Sequence, residues 1–224
     1  MVKGVIISLC DLTGAMVAPW VEAGYDAVLV DPQHGKYSND GRVERLPCTV
    51  LEAAARLGEI IRGRRVVFVA GFPPCTDVAV SGARWFASKA EADKHFQTKA
   101  ALVAEQCRMV GALSGAPWIF ENPVSVFSSI FGAPDYTFHP HDFTGYCADD
   151  NYTKQTCLWV GGGFVMPDVF KAAVLGLPDS RIHAAPPGPD RANFRSATPK
   201  GFAEAVFRAN APHLRRQLRL WEAA

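Results

Sequence analysis

The chain has 224 residues, 49% of them hydrophobic and 20% charged, with a formal net charge of +1 at neutral pH. That balance suits one globular domain spanning residues 1–224 and excludes a disordered chain. It also excludes a global positive field, so any contact with DNA has to come from a local patch. With no signal peptide, no apolar run long enough to span a membrane, and six cysteines without tight spacing, the expectation is a cytoplasmic protein with reduced thiols and no membrane partner.

Gly4 to Leu9 reads as a first buried strand, followed by the tight connection Cys10-Asp11-Leu12-Thr13-Gly14. A helix is expected over 15–23, kinked by Pro19 and closed by Gly24. Asp26 to Val30 is a second strand with Asp31 at its end. This βαβ pattern suits a nucleoside-type cofactor. A glycine in the turn lets a ligand approach the backbone, and an acid after the second strand can accept ribose hydroxyls. A plain βαβ connection reads the same way, because Gly14 is the turn's single glycine.

Residues 32–47 read as a polar loop, and Val50, Leu51, Ala54, Leu57, Ile60 and Ile61 repeat at helical spacing over 49–61. Val66 to Ala70 is a central apolar strand that stops at Gly71-Phe72, where Pro73 and Pro74 make a rigid turn. Cys75 follows at once. The crevice of an open α/β sheet lies beyond the carboxyl ends of its strands, which is where this thiol is expected. A structural cysteine sits more often inside an apolar run. Residues 76–86 read as loop. Ser81 and Arg84 are candidate phosphate contacts by loop position, Trp85 can stack on a base, and Asp77 is either a base or a turn acid. Ser88 and Glu91 form a capping-box pattern for a helix running to about Leu113, with Cys107 on its packed face.

Residues 117–120 form a short strand with Glu121-Asn122-Pro123 at its end, which delivers Glu121 to the sheet edge that carries Cys75. Residues 134–151 are irregular, with Asp149-Asp150 as a solvated turn. The spacing of His139, His141, Cys147 and Cys157 is too loose for a structural zinc site, so no metal is expected. Lys154 to Val160 is a further strand, residues 177–193 a loop, and Thr198-Pro199 opens a final helix packing back on the domain over about 199–221. Trp20, Trp118 and Trp159 read as core.

In order, Leu9-Cys-Asp-Leu-Thr-Gly14, Asp31, Gly71-Phe-Pro-Pro-Cys75 and Phe120-Glu-Asn-Pro123 resemble the DNA (cytosine-5) methyltransferases. The resemblance covers about residues 4–160, with an echo at Arg195-Ser-Ala-Thr-Pro-Lys-Gly-Phe202. It is nearest to short, phage-type members, which carry a segment like Lys154-Gln-Thr-Cys-Leu-Trp159; a phage-encoded protein would act in the host cytoplasm. The resemblance implies a Rossmann-like, doubly wound sheet of the S-adenosylmethionine-dependent methyltransferase type. It implies Cys75 as the nucleophile that adds to C6 of cytosine and Glu121 as the group that holds N3. Pro73, Pro74, Asn122, Ser81, Arg84 and Lys154 then serve the substrate. S-adenosylmethionine is the implied methyl donor, lying over Leu12, Thr13 and Gly14 with Asp31 on its ribose. Cys10, Asp11, Gly71 and Phe72 complete the cofactor set.

Four departures stand beside it. Thr76 follows the cysteine where the family usually has Gln, and Leu12 replaces a usual glycine. The family's Gln-x-Arg-x-Arg segment appears here without arginine, and residues 161–194 leave no room for a target-recognition domain. Three readings therefore stay open. One is a minimal DNA cytosine methyltransferase with relaxed specificity or a helper protein for target recognition. Another is C5 transfer of a methyl or modified methyl group to a free pyrimidine nucleotide. The third is an inactive protein that binds cofactor or nucleic acid.

Overall fold

The computed structural model describes residues 3–186, 188 and 191–215. Eight strands form one sheet: β1 (Val5–Leu9), β2 (Asp26–Val30), β3 (Ser38–Asn39), β4 (Val43–Leu46), β5 (Val66–Gly71), β6 (Trp118–Pro123), β7 (Tyr136–Phe138) and β8 (Thr156–Gly161). Their spatial order is β3-β4-β2-β1-β5-β6-β8-β7. The central five, β4 to β6, run parallel, whereas β3 at one edge and β8 towards the other run against them, and β7 pairs antiparallel with β8. The protein is thus a single α/β domain on a mixed, mostly parallel sheet.

Strand alternation sorts β1 onto two faces. Ile6 joins Trp20, Tyr25, Phe68, Phe202 and Phe207 in one core, while Val5, Ile7 and Leu9 join Val50, Ile60, Ala104, Val110 and Phe120 in the other. The first core is covered by α1 (Ala18–Glu22) and the C-terminal helix; the second by α2 (Val50–Ala55), α3 (Leu57–Ile61) and the long helix over 96–114. Helices on both faces explain why the inner strands read as unbroken apolar runs. Trp20 stacks on Phe68 with ring centroids 5.2 Å apart, and Phe120 stacks on Trp159 at 4.9 Å. Each fully buried aromatic side chain contributes about 1.5–3 kcal/mol of hydrophobic stabilisation.

Several expected boundaries move. Pro19 does not kink the first helix; it sits in its first turn, where its missing N–H costs nothing. The 49–61 helix divides at Arg56 into α2 and α3, and Thr49 with Glu52, rather than Ser88 with Glu91, forms a capping box. Ser88 lies inside α4 (Phe86–Ala92), where its hydroxyl donates to the Trp85 carbonyl. Asp93 is extended, so the expected 88–113 helix breaks and resumes as α5 (Phe96–Ser114). The 32–47 segment is not all loop, because β3 and β4 extend the sheet beyond β2. β7 and two short helical turns occupy parts of 134–151; α6 (Phe127–Ile130) precedes them, and α7 (Arg181–Ala184) and α8 (Arg191–Ser196) fall in and after the expected 177–193 loop. α9 (Lys200–Asn210) ends with Pro212 two residues on; Arg216, Arg219 and Trp221, assigned to this helix from sequence, lie outside the described residues. No helix of the described residues is long and apolar enough to cross a membrane.

Candidate active site

The switch point of the sheet lies between β1 and β5, because the chain winds outwards from β1 in one direction and from β5 in the other. Register aligns Leu9 with Gly71 and Gly71 with Phe120. Cys10, Phe72 and Glu121 therefore follow at one level, at the edge where open α/β sheets hold ligands. The Phe72 N–H donates to the Leu9 carbonyl at 2.9 Å, which ties the two outgoing chains together.

On the β1 side, Cys10 takes φ +56°, a region costing an L-residue about 1–2 kcal/mol, and its N–H donates to the Val30 carbonyl at 2.7 Å. Asp11 is buried and closes the turn. One carboxylate oxygen accepts from Thr13 N–H, the Thr13 hydroxyl and Gly14 N–H (3.0, 3.2 and 2.7 Å), and the other accepts from the Ser8 hydroxyl at 2.7 Å. Gly14 has φ +72°. Asp31 is also buried; Oδ1 accepts from Gln33 N–H at 2.8 Å, and Oδ2 accepts no hydrogen bond among the described residues. Asp31 thus keeps one oxygen free for a ligand hydroxyl, whereas Asp11 is already saturated.

On the β5 side, the Pro-Pro-Cys loop carries Cys75 half-buried. Asn122 Nδ2 donates to the Pro73 carbonyl at 2.9 Å from the neighbouring strand. The Cys75 carbonyl accepts from Val78 and Ala79 N–H, and Val80 and Val126 N–H complete a short antiparallel stitch to the chain beyond β6. Lys89 Nζ reaches back from α4 to the Thr76 carbonyl (2.8 Å) and to Asp77 (2.7 Å), so Asp77 is held as a turn acid. Gly71 is needed for packing: a Cβ there would meet Cys107 Cβ at 2.7 Å and Phe120 Cβ at 3.3 Å.

Glu121 is not at the end of its strand. β6 runs on to Pro123 because antiparallel β8 pairs along it, with Glu121 opposite Leu158. Glu121 is 8% exposed and Lys154, just before β8, is also 8% exposed; Lys154 Nζ lies 3.6 Å from Glu121 Oε1. Burial pushes the Cys75 thiol up, Glu121 pushes it further the same way, and Lys154 and Arg195 pull it down. These charges come from separate elements: Glu121 from β6, Lys154 from the approach to β8, and Arg195 from α8. The buried Tyr152 phenol is raised by burial and by Asp150.

Other sequence candidates fall elsewhere. Ser81 and Arg84 are exposed on the turn Val80–Trp85, where the Arg84 guanidinium lies 5.2 Å from the Trp85 ring centroid. Arg42 and Arg64 pair with Asp26, and Arg62 with Glu44, near the amino ends of the strands and away from Cys75. Asp150 is not a solvated turn acid: it is 6% exposed and accepts from Gly201 N–H at 2.6 Å, fixing the start of α9. His139 stacks on His141 at 5.2 Å, and among the described residues no group of three His, Cys, Asp or Glu side chains is arranged to hold a metal. Lys89 was missed from sequence because only the fold brings it to the Cys75 loop. Arg195 carried a signal, the Arg-Ser-x-Thr-Pro echo, but no role.

No family model matches the chain, and no curated protein matches it.

Proposed function

We propose that the protein is an S-adenosylmethionine-dependent transferase that methylates C5 of a pyrimidine, cytosine in DNA, through a covalent Cys75 adduct. The observation that carries this reading is the meeting of a thiol and a carboxylate at the switch-point crevice, Cys75 beyond β5 and Glu121 on β6, with Lys154 beside the carboxylate. C5 of a pyrimidine is a weak nucleophile until a thiolate adds at C6. Cys75 loses its proton, its sulfur bonds to C6, and the ring electrons move to C5. Glu121 holds N3 as charge develops on the ring, and the Lys154 ammonium holds Glu121. C5 then takes the methyl, loses its hydrogen as a proton, and the C6–sulfur bond breaks to return the thiol.

S-adenosylmethionine, when bound, supplies an electrophilic methyl. The β1 side fits it: Gly14 has the backbone of a close turn, and Asp31 keeps one free carboxylate oxygen for a ribose hydroxyl. Helices on both faces of a mostly parallel sheet support the Rossmann-like reading of the fold.

A free nucleotide is the second reading. It is favoured by residues 161–194, whose described part holds only short helices, and by the ion pairs that engage Arg42, Arg62 and Arg64. Labelled S-adenosylmethionine offered with duplex DNA, single-stranded DNA and pyrimidine nucleotides in parallel, read by nucleoside mass spectrometry, decides between them. The expected product is 5-methylcytosine in DNA, lost by about 10³-fold or more in Cys75→Ala with cofactor binding retained. Label confined to free nucleotides selects the second reading. Full transfer by Cys75→Ala removes the mechanism.

A further inference from the structure

A cavity of about 650 Å³ lies at the amino ends of the central strands, opposite the Cys75 crevice. Val66 and Val67 of β5 and Pro117, just before β6, line it. Leu57 and Ile61 of α3 and Leu113 of α5 enter it from one face of the sheet, and Pro212 and Arg215, beyond α9, from the other. The volume falls within the range of small-molecule sites, about 300–1,000 Å³. β5 runs from Val66 to Gly71 before the Cys75 loop begins, so about 20 Å of strand, at about 3.3 Å per residue, separates the cavity from the thiol.

Its charge is of one sign. Arg64, Arg65 and Arg215 line the cavity, and none of its lining residues is acidic. The polar groups of the wall differ in what they already hold. Arg64 donates to Asp26 and to the Ile60 and Ile61 carbonyls at 3.0, 2.8 and 2.9 Å. Asn210 donates to the Val165 and Val206 carbonyls and accepts from Val165 N–H. The Ser114 hydroxyl donates to the Gly111 carbonyl and accepts from Ala116 N–H. Arg65 forms no ion pair among the described residues, and Arg215 reaches the Gly163 carbonyl at 3.4 Å. The Arg65 backbone is fixed, because its carbonyl accepts from Val5 N–H at 2.8 Å. The rest of the wall is aliphatic without an aromatic ring, and its Leu113 is 79% exposed to water.

We propose that this cavity is a second ligand site, one that takes an oxyanion carried on an aliphatic chain, with Arg65 and Arg215 as the ligands of the anion. A guanidinium presents a planar fork of donors that matches carboxylate or phosphate oxygens two at a time. Leu57, Ile61 and Leu113 offer an aliphatic body a surface that leaves water when it binds. A neutral chain leaves the two arginines unused, and a bare anion leaves the aliphatic wall wet. A carboxylate and a phosphate monoester share this chemistry. A bound ligand touches elements from both layers of the fold, so it stabilises the folded chain. The site stands apart from the reading of Cys75 and is tested without methyl transfer.

The test is titration calorimetry on the full chain with four probes: octanoate, octyl phosphate, 1-octanol and inorganic phosphate. The expected result is that one of the two amphipathic anions binds at least tenfold more tightly than both 1-octanol and inorganic phosphate, and raises Tm. The tighter of the two names the head group. The double variant Arg65→Gln, Arg215→Gln is expected to lose that advantage, and the matching lysine pair to keep part of it. The two single glutamine variants, on separate elements, serve where the double variant fails to fold. Leu113→Asn is expected to weaken the amphipathic anion several-fold and to leave inorganic phosphate unchanged. Iodoacetamide labelling of Cys75 is expected to proceed at the same rate with the probe bound. Equal affinity for octanoate, octyl phosphate and 1-octanol overturns the anion site, and so does full affinity in the folded glutamine variants. Binding by none of the four probes overturns the cavity as a ligand site. Protection of Cys75 in step with binding places the probe in the other crevice and overturns this site as well.

Discussion

The loop after β1 closes on itself, whereas the loop after β5 is held by residues far away in the chain. Asp11 gathers its four donors from Ser8, Thr13 and Gly14, all within three positions. The Cys75 loop depends on Asn122, 49 positions from Pro73, on Lys89, and on the stitch at Val124 and Val126. A loop with two prolines has two fewer N–H donors with which to close itself, so its carbonyls must find partners elsewhere. The comparison teaches that the two halves of one crevice can be built by different means. The proposed cofactor side is local, and the proposed chemical side is tertiary.

The strongest way to break the comparison is Asp11→Ala. It leaves the fully buried Ser8 hydroxyl and the Gly14 N–H without their partner, at a cost of about 3 kcal/mol. At this chain length that corresponds to a fall of about 6–12 °C in Tm, measured by calorimetry. Cys75 alkylation in the folded protein should stay near wild type, since the β5 loop has its own anchors.

Asn122→Ala is expected to do the reverse. Losing one buried hydrogen bond to Pro73 costs about 1–2 kcal/mol in denaturant unfolding. The larger effect is local: the Pro-Pro-Cys loop loosens, and native-state alkylation of Cys75 accelerates several-fold. Equal alkylation rates in wild type and variant would mean that the loop closes itself after all.

The smallest effect sharpens the electrostatics. Burial and Glu121 hold the Cys75 thiol above its ordinary value, so its proton leaves only at alkaline pH in the free protein. The pH profile of Cys75 alkylation should therefore have its midpoint above that of an ordinary thiol. Glu121→Gln removes a negative charge and moves the midpoint down. Lys154→Met removes the opposing cation and moves it up.

Much of the fold was legible because hydrophobic runs report burial directly. β2 matches its sequence bounds, and β1 and β5 match to within a residue, since strands buried on both faces carry little else. β4 was hidden because its Val-Glu-Arg-Leu sequence is half polar. Glu44 is buried there only because Arg62 and Arg64 come round to meet it. The break between α4 and α5 and the division at Arg56 were hidden too, because helical spacing continues across both. Of the candidate site, Cys75 and Asp31 were readable as polar groups beyond strand ends, whereas Glu121 was read at a strand end and lies inside β6. Asp150 misled, because a pair of aspartates looks solvated until Gly201 N–H is seen against it.

By itself, the sequence determined an α/β chain with an apolar strand ending in Pro-Pro-Cys and a second ending in Glu-Asn. Periodicity and turn chemistry act over a few residues and need no partner to be read. Only the tertiary structure decided that β5 and β6 are neighbours and that Lys154 lies against Glu121. Those placements depend on strand order and on helix connections that close long loops. Charge and hydrogen bonding act across such loops without leaving a local pattern in the chain.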